Sequence, residues 1–498
     1  MSAPHESGRA YEASLSAERR RRDGIHYTPP DVAAGLVADA LELVGRTPAL
    51  ILDPACGAGV FLVAALDALV ADGVEPAVAL GRVRGLDIDP EAVELARRAL
   101  VEWAARHRLP ARSVPTDIVV VADALVDDWP SSVDVVIGNP PFGGQVRGST
   151  VRTASRPEVA AGLLGRRAGY ADTASLFLAR AVDRVRRDGV VVLLQPMSVL
   201  AARDAGIVRD LVSARATVRG FLFPDASGFS AAVHVCAPLV VVDGGPTERP
   251  WSDIAADDLG LESGPSEGSM VLGDVAEVTA GFRDEFYAVA RHVTESGADD
   301  RRPRLVTSGS IEPGRILWGE RPTRIDGRSY RCPVVDVDAL GRWAATEPTA
   351  RRLRSRIARR TAPKVLVATQ TRSLEAVADP DGTLWPSVPV VSVLPGDPTI
   401  DAWDLLAVLV SREATRYVAR RSLGTGLTTG AVRVSARVLA QLPMPADIAA
   451  WRHAADALRN GSTVDAPEVL DAMSLAFGAQ ASKRRTGRSR LSASATVR

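Results

Sequence analysis

Lysine is almost missing from this chain: of 60 basic residues, all but Lys364 and Lys483 are arginine. With abundant Ala, Val and Gly, that skew reads as mutational bias in a GC-rich genome. Arginine enrichment alone is therefore weak evidence for phosphate binding. Cysteine is scarce too. Cys56, Cys236 and Cys332 stand far apart without a CxxC pair, which argues against a disulfide framework or a zinc site and fits a reducing cytosol. The 6 histidines form no ligand cluster, so no metal is expected. No apolar run reaches the roughly 20 residues of a membrane span, and the N-terminus lacks the apolar core of a signal peptide. A cytoplasmic protein is expected. Formal net charge is 0, which favours no class of partner.

What is present is length, apolar content and order. A chain of 498 residues with 46% hydrophobic residues suits two or three domains rather than disorder. Residues 1–24 are polar and read as a disordered arm. Over 25–245, short Val/Ile/Leu runs ("ALILDPA", "VRGLDID", "DIVVVAD", "VDVVIGN", "GVVVLLQP") alternate with stretches of helical period. That alternation predicts a doubly wound, mostly parallel α/β sheet. Its last two strands lack an intervening helix and should form an antiparallel edge pair. The Gly-, Pro- and acid-rich stretch 246–268 reads as a linker. A second, α+β domain is expected over 269–448, with a C-terminal helix and basic tail over 449–498. Charge is uneven: 241–300 is acidic, and 301–360 is crowded with arginine.

Four short segments carry chemistry. In "ILDPACGAGVF" a strand ends at Asp53, and Gly57 and Gly59 let backbone approach a ligand before a helix begins. The spacing is neither GxGxxG nor a P-loop. Asp87, ending the next strand, can bind both hydroxyls of a ribose, whereas Asp89 before Pro90 fits a helix cap. Asp123 ends a third strand. It can accept from an adenine amino group, or equally cap a turn. The fourth segment, "NPPF", follows a strand directly. Asn139 offers a side-chain carbonyl, Pro140 a backbone carbonyl and Phe142 a flat face, all stiffened by Pro-Pro. Two acceptors and a stacking surface suit a planar exocyclic amine. Holding both N–H bonds turns its lone pair out of conjugation and toward an electrophile. The competing reading is a proline-rich strand terminator.

Taken in order, "HYTPPDVAAGLVADAL" (26–41), "DPACGAGVF" (53–61), "LDIDP" (86–90), "ADAL" (122–125) and "NPPF" (139–142) resemble the S-adenosylmethionine-dependent N6-adenine DNA methyltransferases. The resemblance is to the gamma class, whose target-recognition domain comes last. Segments 173–200 and 221–240 are similar to that family's later motifs, and 270–448 is loosely similar to recognition domains of restriction-modification systems. The resemblance implies a Rossmann-like methyltransferase domain over 25–245 with S-adenosyl-L-methionine as cofactor. Tyr27 and Thr28 would close over its methionine part, Asp53, Gly57 and Gly59 would hold its amino-acid end, Asp87 its ribose and Asp123 its adenine. Asn139, Pro140 and Phe142 would form the target-base pocket, with Phe223 or Phe229 covering the other face of the base. Ala124, where some relatives carry an aromatic, puts one adenine contact in doubt.

The implied substrate is double-stranded DNA. About 25 residues precede the first motif, which leaves any restriction endonuclease to a separate chain, and a monomer is expected. Candidate DNA contacts are 351–360, 281–286 and 424–433; the first also reads as a helical surface and the last as an ordinary turn. The rival readings are a protein-glutamine or RNA adenine N-methyltransferase and a non-catalytic DNA-binding specificity subunit. The first of these is typically short, and the intact acidic and NPPF motifs speak against the last.

Overall fold

The computed structural model describes residues 28–142, 161–162, 172–224, 234–265, 270–281, 283–297, 299–347, 350–371, 373–426 and 432–478. The chain divides into two units: residues 1–261 with 421–425, and residues 262–420 with 426–498.

The first unit is built on one sheet. Strands β1 (Ile51–Asp53), β2 (Val83–Asp87), β3 (Val119–Val121), β4 (Val135–Gly138) and β5 (Val190–Leu193) run parallel in the order β3-β2-β1-β4-β5. Beyond β5 lies β8 (Val235–Val241), antiparallel to it. The short β6 (Gln195–Pro196) pairs with β8 in the same register and continues the line of β5. On the other side of β8 lies β7 (Thr217–Leu222), giving the expected antiparallel edge pair.

Alternation along each strand feeds two cores, as a sheet covered on both faces requires. Val191 and Leu193 join Leu52 and Val136 on one face, under α4 (Thr173–Arg184) and α5 (Gly206–Arg215). Val190 and Val192 join Ile51, Val135 and Ile137 on the other, under α1 (Pro30–Val44), α2 (Val60–Ala71) and α3 (Pro90–Arg106). Asp89 caps α3, accepting from the Glu91 N–H at 3.0 Å, with Pro90 in the first turn. That is the capping role its Asp-Pro pair predicts.

The structure corrects the linker. Within 246–268, Trp251–Asp258 form α6, and Trp251, Ile254 and Ala255 are buried in the core under α4 and α5. Asp258 accepts the Phe221 N–H at 2.7 Å, fastening α6 to β7. Acidic and glycine-rich composition outweighed one apolar helical face in the sequence reading. Residues 421–425 complete this unit from far along the chain. Leu423 packs on the same core, and Arg421 pairs with Asp253 at 3.2 Å. Gly424 sits at φ +77° so close to Met197 that a Cβ would fall 2.1 Å from its carbonyl oxygen.

The second unit is α+β. An antiparallel sheet, β16-β15-β18-β9, is made of β9 (Ala276–Ala280), β15 (Lys364–Val367), β16 (Ala376–Asp379) and β18 (Val391–Pro395). A mixed sheet, β10-β14-β11-β17, is made of β10 (Val293–Glu295), β11 (Arg304–Val306), β14 (Pro333–Val335) and β17 (Leu384–Pro386). Between β11 and β14 lies a hairpin, β12 (Thr323–Ile325) and β13 (Arg328–Tyr330). Helices α7 (Arg283–Ala290), α8 (Val337–Thr346) and α9 (Arg351–Arg360) accompany the mixed sheet. Helices α10 (Ala402–Leu409), α11 (Ile448–Arg459) and α12 (Pro467–Ala476) share the core of the antiparallel sheet. The boundary expected at 448 is therefore not a domain boundary: Trp451, Leu458 and Met473 are buried in the same core as Leu272 and Val393. Residues 1–24 and 479–498 lie outside the described residues.

Candidate functional site

In the first unit the chain runs outward from β1 through β2 and β3, then returns to place β4 on the other side of β1. Ligands of open α/β sheets bind outside the strand carboxyl ends at such a reversal. Asp53, Asp87 and Asn139 all lie there, the first two as last residues of β1 and β2, the third directly after β4.

Asp53 is 1% exposed, and its Oδ1 accepts the Ala55 N–H at 3.0 Å. Its buried Oδ2 meets no hydrogen-bond donor among the described residues. Burial pushes its carboxyl up to about 8; the Ala55 N–H opposes the rise and the neighbouring Asp87 adds to it. Gly138, the last residue of β4, makes this placement possible, since a Cβ there would fall 2.4 Å from Asp53 Oδ1. The sequence reading took Gly138 for ordinary strand. A glycine ending an apolar strand was the available signal of a close approach.

The glycine turn is tied to β2. The Gly57 N–H donates to Asp87 Oδ2 at 2.8 Å, and Asp87 Oδ1 accepts the Asp89 N–H at 2.9 Å. Gly57 and Gly59 have φ of +50° and +85°, and a Cβ on Gly59 would press on Ala96 at 3.2 Å. Asp123 follows β3 half-buried. Its Oδ1 accepts the Leu125 N–H at 3.0 Å, so the turn role is occupied at one oxygen.

Asn139 reaches across 111 positions to the start of α1: its Nδ2 donates to Thr28 Oγ1 at 2.9 Å. Thr28 is 4% exposed and Pro140 is buried. Phe142 is half-buried against the α1–α3 core, and Phe223, just past β7, against the α4–α5 core. Thus Thr28, Asp53, Gly57, Asp87 and Asn139 are joined by hydrogen bonds or by adjacency at one sheet edge. Tyr27 and Phe229 lie outside the described residues.

The candidate DNA segments fare differently. In α9, Arg359 and Arg360 pair with Glu277 and Glu285. Phe286 packs half-buried on the mixed-sheet core, and Gly281 lies against Val388. Of 424–433, residues 427–431 lie outside the described residues.

Residues 2–220 match the family described as N-6 DNA Methylase. The type II methyltransferase M.VspI of Vibrio sp. (strain 343) is 32% identical over 139 residues, which are 27% of this chain and 29% of that protein. The type I restriction enzyme MjaIX methylase subunit of Methanocaldococcus jannaschii is 32% identical over 140 residues, 27% of this chain and 22% of that one. The chain thus spans less than a third of the curated relatives it matches. Among solved structures, the type IIG restriction endonuclease BpuSI aligns over 92% of this chain and 62% of its own, at 15% identity and a TM-score of 0.43.

S-adenosylmethionine is the cofactor of this methylase family, and the residues present fit it. A buried carboxylate oxygen that meets no donor suits an ammonium, the glycine turn leaves room at the helix start, and Asp87 stands one strand over for a ribose.

Proposed function

We propose that the chain is a DNA adenine-N6 methyltransferase of the gamma class, working in a restriction-modification or phage-defence setting. Of the relatives named above, one is a type II methyltransferase and one a type I restriction enzyme methylase subunit, which supports that setting. The observation that carries the reading is the placement of Asn139-Pro140 at the β4 terminus, directly after Gly138, which lies against Asp53 of β1, with Asn139 bonded to Thr28 of the α1 start.

Bound in the cleft, the cofactor supplies a methyl group on an electrophilic sulfonium. Asp53 would neutralise its ammonium, Gly57 and Gly59 would give its amino-acid end room, Asp87 and Asp123 would take its ribose and adenine, and Thr28, with Tyr27 before it in the chain, would serve the methionine part. The target adenine is extruded from the duplex at a cost of a few kcal/mol. Asn139 Oδ1 and the Pro140 carbonyl accept the two N–H bonds of its amine. Phe142 on one face, and Phe223 or Phe229 on the other, hold the ring. With both N–H bonds engaged by Asn139 and Pro140, the amine's lone pair would be free to take the methyl group, and its proton would leave afterwards to solvent. No base need remove it first. Orientation and aligned acceptors do the work. The second unit reads the DNA sequence, and its contacts offset the cost of extrusion.

The test uses labelled S-adenosylmethionine with unmethylated genomic DNA, beside RNA and protein acceptors, for the wild type and Asn139→Ala. Label recovered as N6-methyladenine in one short sequence context, and lost in the variant, is the expected result. Label in RNA or protein, or none in DNA despite cofactor binding, overturns it.

A further inference from the structure

The arginine-rich stretch 301–360 splits into two populations. In α9, Arg356, Arg359 and Arg360 serve the fold. Arg360 Nη2 lies 3.1 Å from both Glu285 oxygens, Arg359 lies 2.5 Å from Glu277, and Arg356 lies 3.7 Å from Glu285. Their charge is spent internally.

The hairpin is the opposite case. Residues 321–331 read "RPTRIDGRSYR", with four arginines against Asp326, a balance of 4 − 1 = +3. Arg321, Arg324, Arg328 and Arg331 are all exposed, and none forms an ion pair with a described residue. The nearby Arg315 is taken by Glu320 at 2.7 Å, and the Glu295 carboxylate accepts the backbone N–H of Arg331 at 3.0 Å. Arg331 Nε donates to the Gly319 carbonyl at 3.3 Å.

The ribbon is stiff. Asp326 and Gly327 take φ of +46° and +81°, the two left-handed residues of a tight two-residue turn. Ile325, 2% exposed, and Tyr330 anchor one face in the mixed-sheet core. Arg324, opposite Ser329, points the other way, and Arg328, opposite Ile325 beside the turn, shares the anchored side but is exposed at the tip of the ribbon. At the base, exposed Arg304 stacks over Trp318 at 5.1 Å. Four guanidinium groups without counter-charge repel one another, and a polyanion relieves that repulsion with release of its own counterions. A two-stranded ribbon also matches the roughly 12 Å width of a B-DNA major groove.

We propose that hairpin 321–331 is the ribbon by which the second unit grips double-stranded DNA. Arg324 on the outer face and Arg328 at the exposed tip lie at the duplex, and Arg321 and Arg331 flank it at the backbone phosphates. This rests on the DNA-methyltransferase reading and adds the element that binds.

The experiment uses the full chain. Duplex binding is followed by fluorescence anisotropy across a salt series for the wild type, the Arg324→Ala/Arg328→Ala double variant, the lysine double variant R324K/R328K, and R359A as a control. Cofactor affinity and Tm are read on each. The alanine pair should weaken duplex binding about tenfold or more and lower the salt slope by about 2. Cofactor affinity and Tm should hold, the lysine pair should restore the slope, and R359A should keep the wild-type slope. Single Arg324→Gln, at a solvent position, should lower the slope by about 1 even where the pair perturbs the fold. Unchanged duplex affinity and slope in the alanine pair and in Arg324→Gln overturns the ribbon alone, with methylation intact. A wild type that binds cofactor but neither binds nor methylates duplex overturns the parent reading, and the ribbon with it.

Discussion

Thr28 Oγ1 accepts a hydrogen bond from Asn139 Nδ2 at 2.9 Å, and this bond decides which way the Asn139 amide faces. With the NH2 end held by Thr28, the carbonyl end turns to the other side, where the proposed reaction needs the target amine. Thr28→Val keeps the shape and removes the acceptor. It should lower kcat about tenfold, the rate equivalent of one hydrogen bond, with less effect on KM for DNA. Thr28→Ser should restore the rate, and loss of the same size in Thr28→Ser would show that the hydroxyl is irrelevant. Asn139→Ala, which removes an acceptor of the amine itself, should cost about 100-fold or more.

Asp53 predicts proton release. Its carboxyl is raised to about 8 by burial, so in the native chain near pH 7 it is mostly protonated. An ammonium arriving at Oδ2 favours the carboxylate and drives that proton off. Calorimetry in buffers of different ionisation heat should find close to one proton released at pH 7, with cofactor affinity rising with pH toward 8. Asp53→Asn should show neither effect. The same carboxyl acts on stability in the reverse sense. Because its folded pKa lies above the unfolded one, its contribution is full below the ordinary carboxyl range and is lost as pH climbs toward 8, by up to about 1.4 kcal/mol per unit. Urea unfolding of the wild type and Asp53→Asn across pH 5 to 8 checks this; parallel curves would contradict it.

Gly138→Ala should damage the site more than Gly57→Ala. The first places a methyl 2.4 Å from Asp53 Oδ1 and must move that carboxylate, whereas the second meets nothing within 4 Å and carries only left-handed strain at φ +50°. Cofactor affinity should fall about tenfold or more in Gly138→Ala, while the Gly57→Ala penalty stays near 1–2 kcal/mol of stability. Equal affinities for the cofactor would refute the crossing of Asp53 over β4.

In the second unit, Lys364 and Asp379 are 0% and 2% exposed and pair at 2.5 Å, with the Thr383 and Leu384 N–H groups also on the carboxylate. Lys364→Ala strands a buried charge and should cost about 3–5 kcal/mol in chemical denaturation. A double change to apolar residues of similar volume should recover most of it. Full additivity of the two single changes would mean the pair is not coupled.

The motifs were legible where local rules suffice. Asp53 and Asp87 end strands whose apolar alternation is visible in the sequence, and Asp89-Pro90 announces its cap. What was not legible is contact between distant segments. Nothing near Asn139 names Thr28, and nothing near Gly138 shows that Asp53 lies across it. The 246–268 stretch misled because acids on one helical face masked Trp251, Ile254 and Ala255 on the other. Arginine counting could not separate α9, whose charges face Glu277 and Glu285, from the hairpin, whose charges face solvent. The Asp326-Gly327 turn between short strands was the missed cue.

The five residues 421–425 have a consequence for how such a protein can be rebuilt. The chain passes between its two units three times, at 261/262, 420/421 and 425/426. A modular exchange of the second unit by one cut and one splice would carry off Leu423, which packs on the core of the first unit, and Gly424, which alone tolerates the Met197 carbonyl. Working chimeras must therefore retain this returning clasp with the first unit and join foreign sequence on both sides of it.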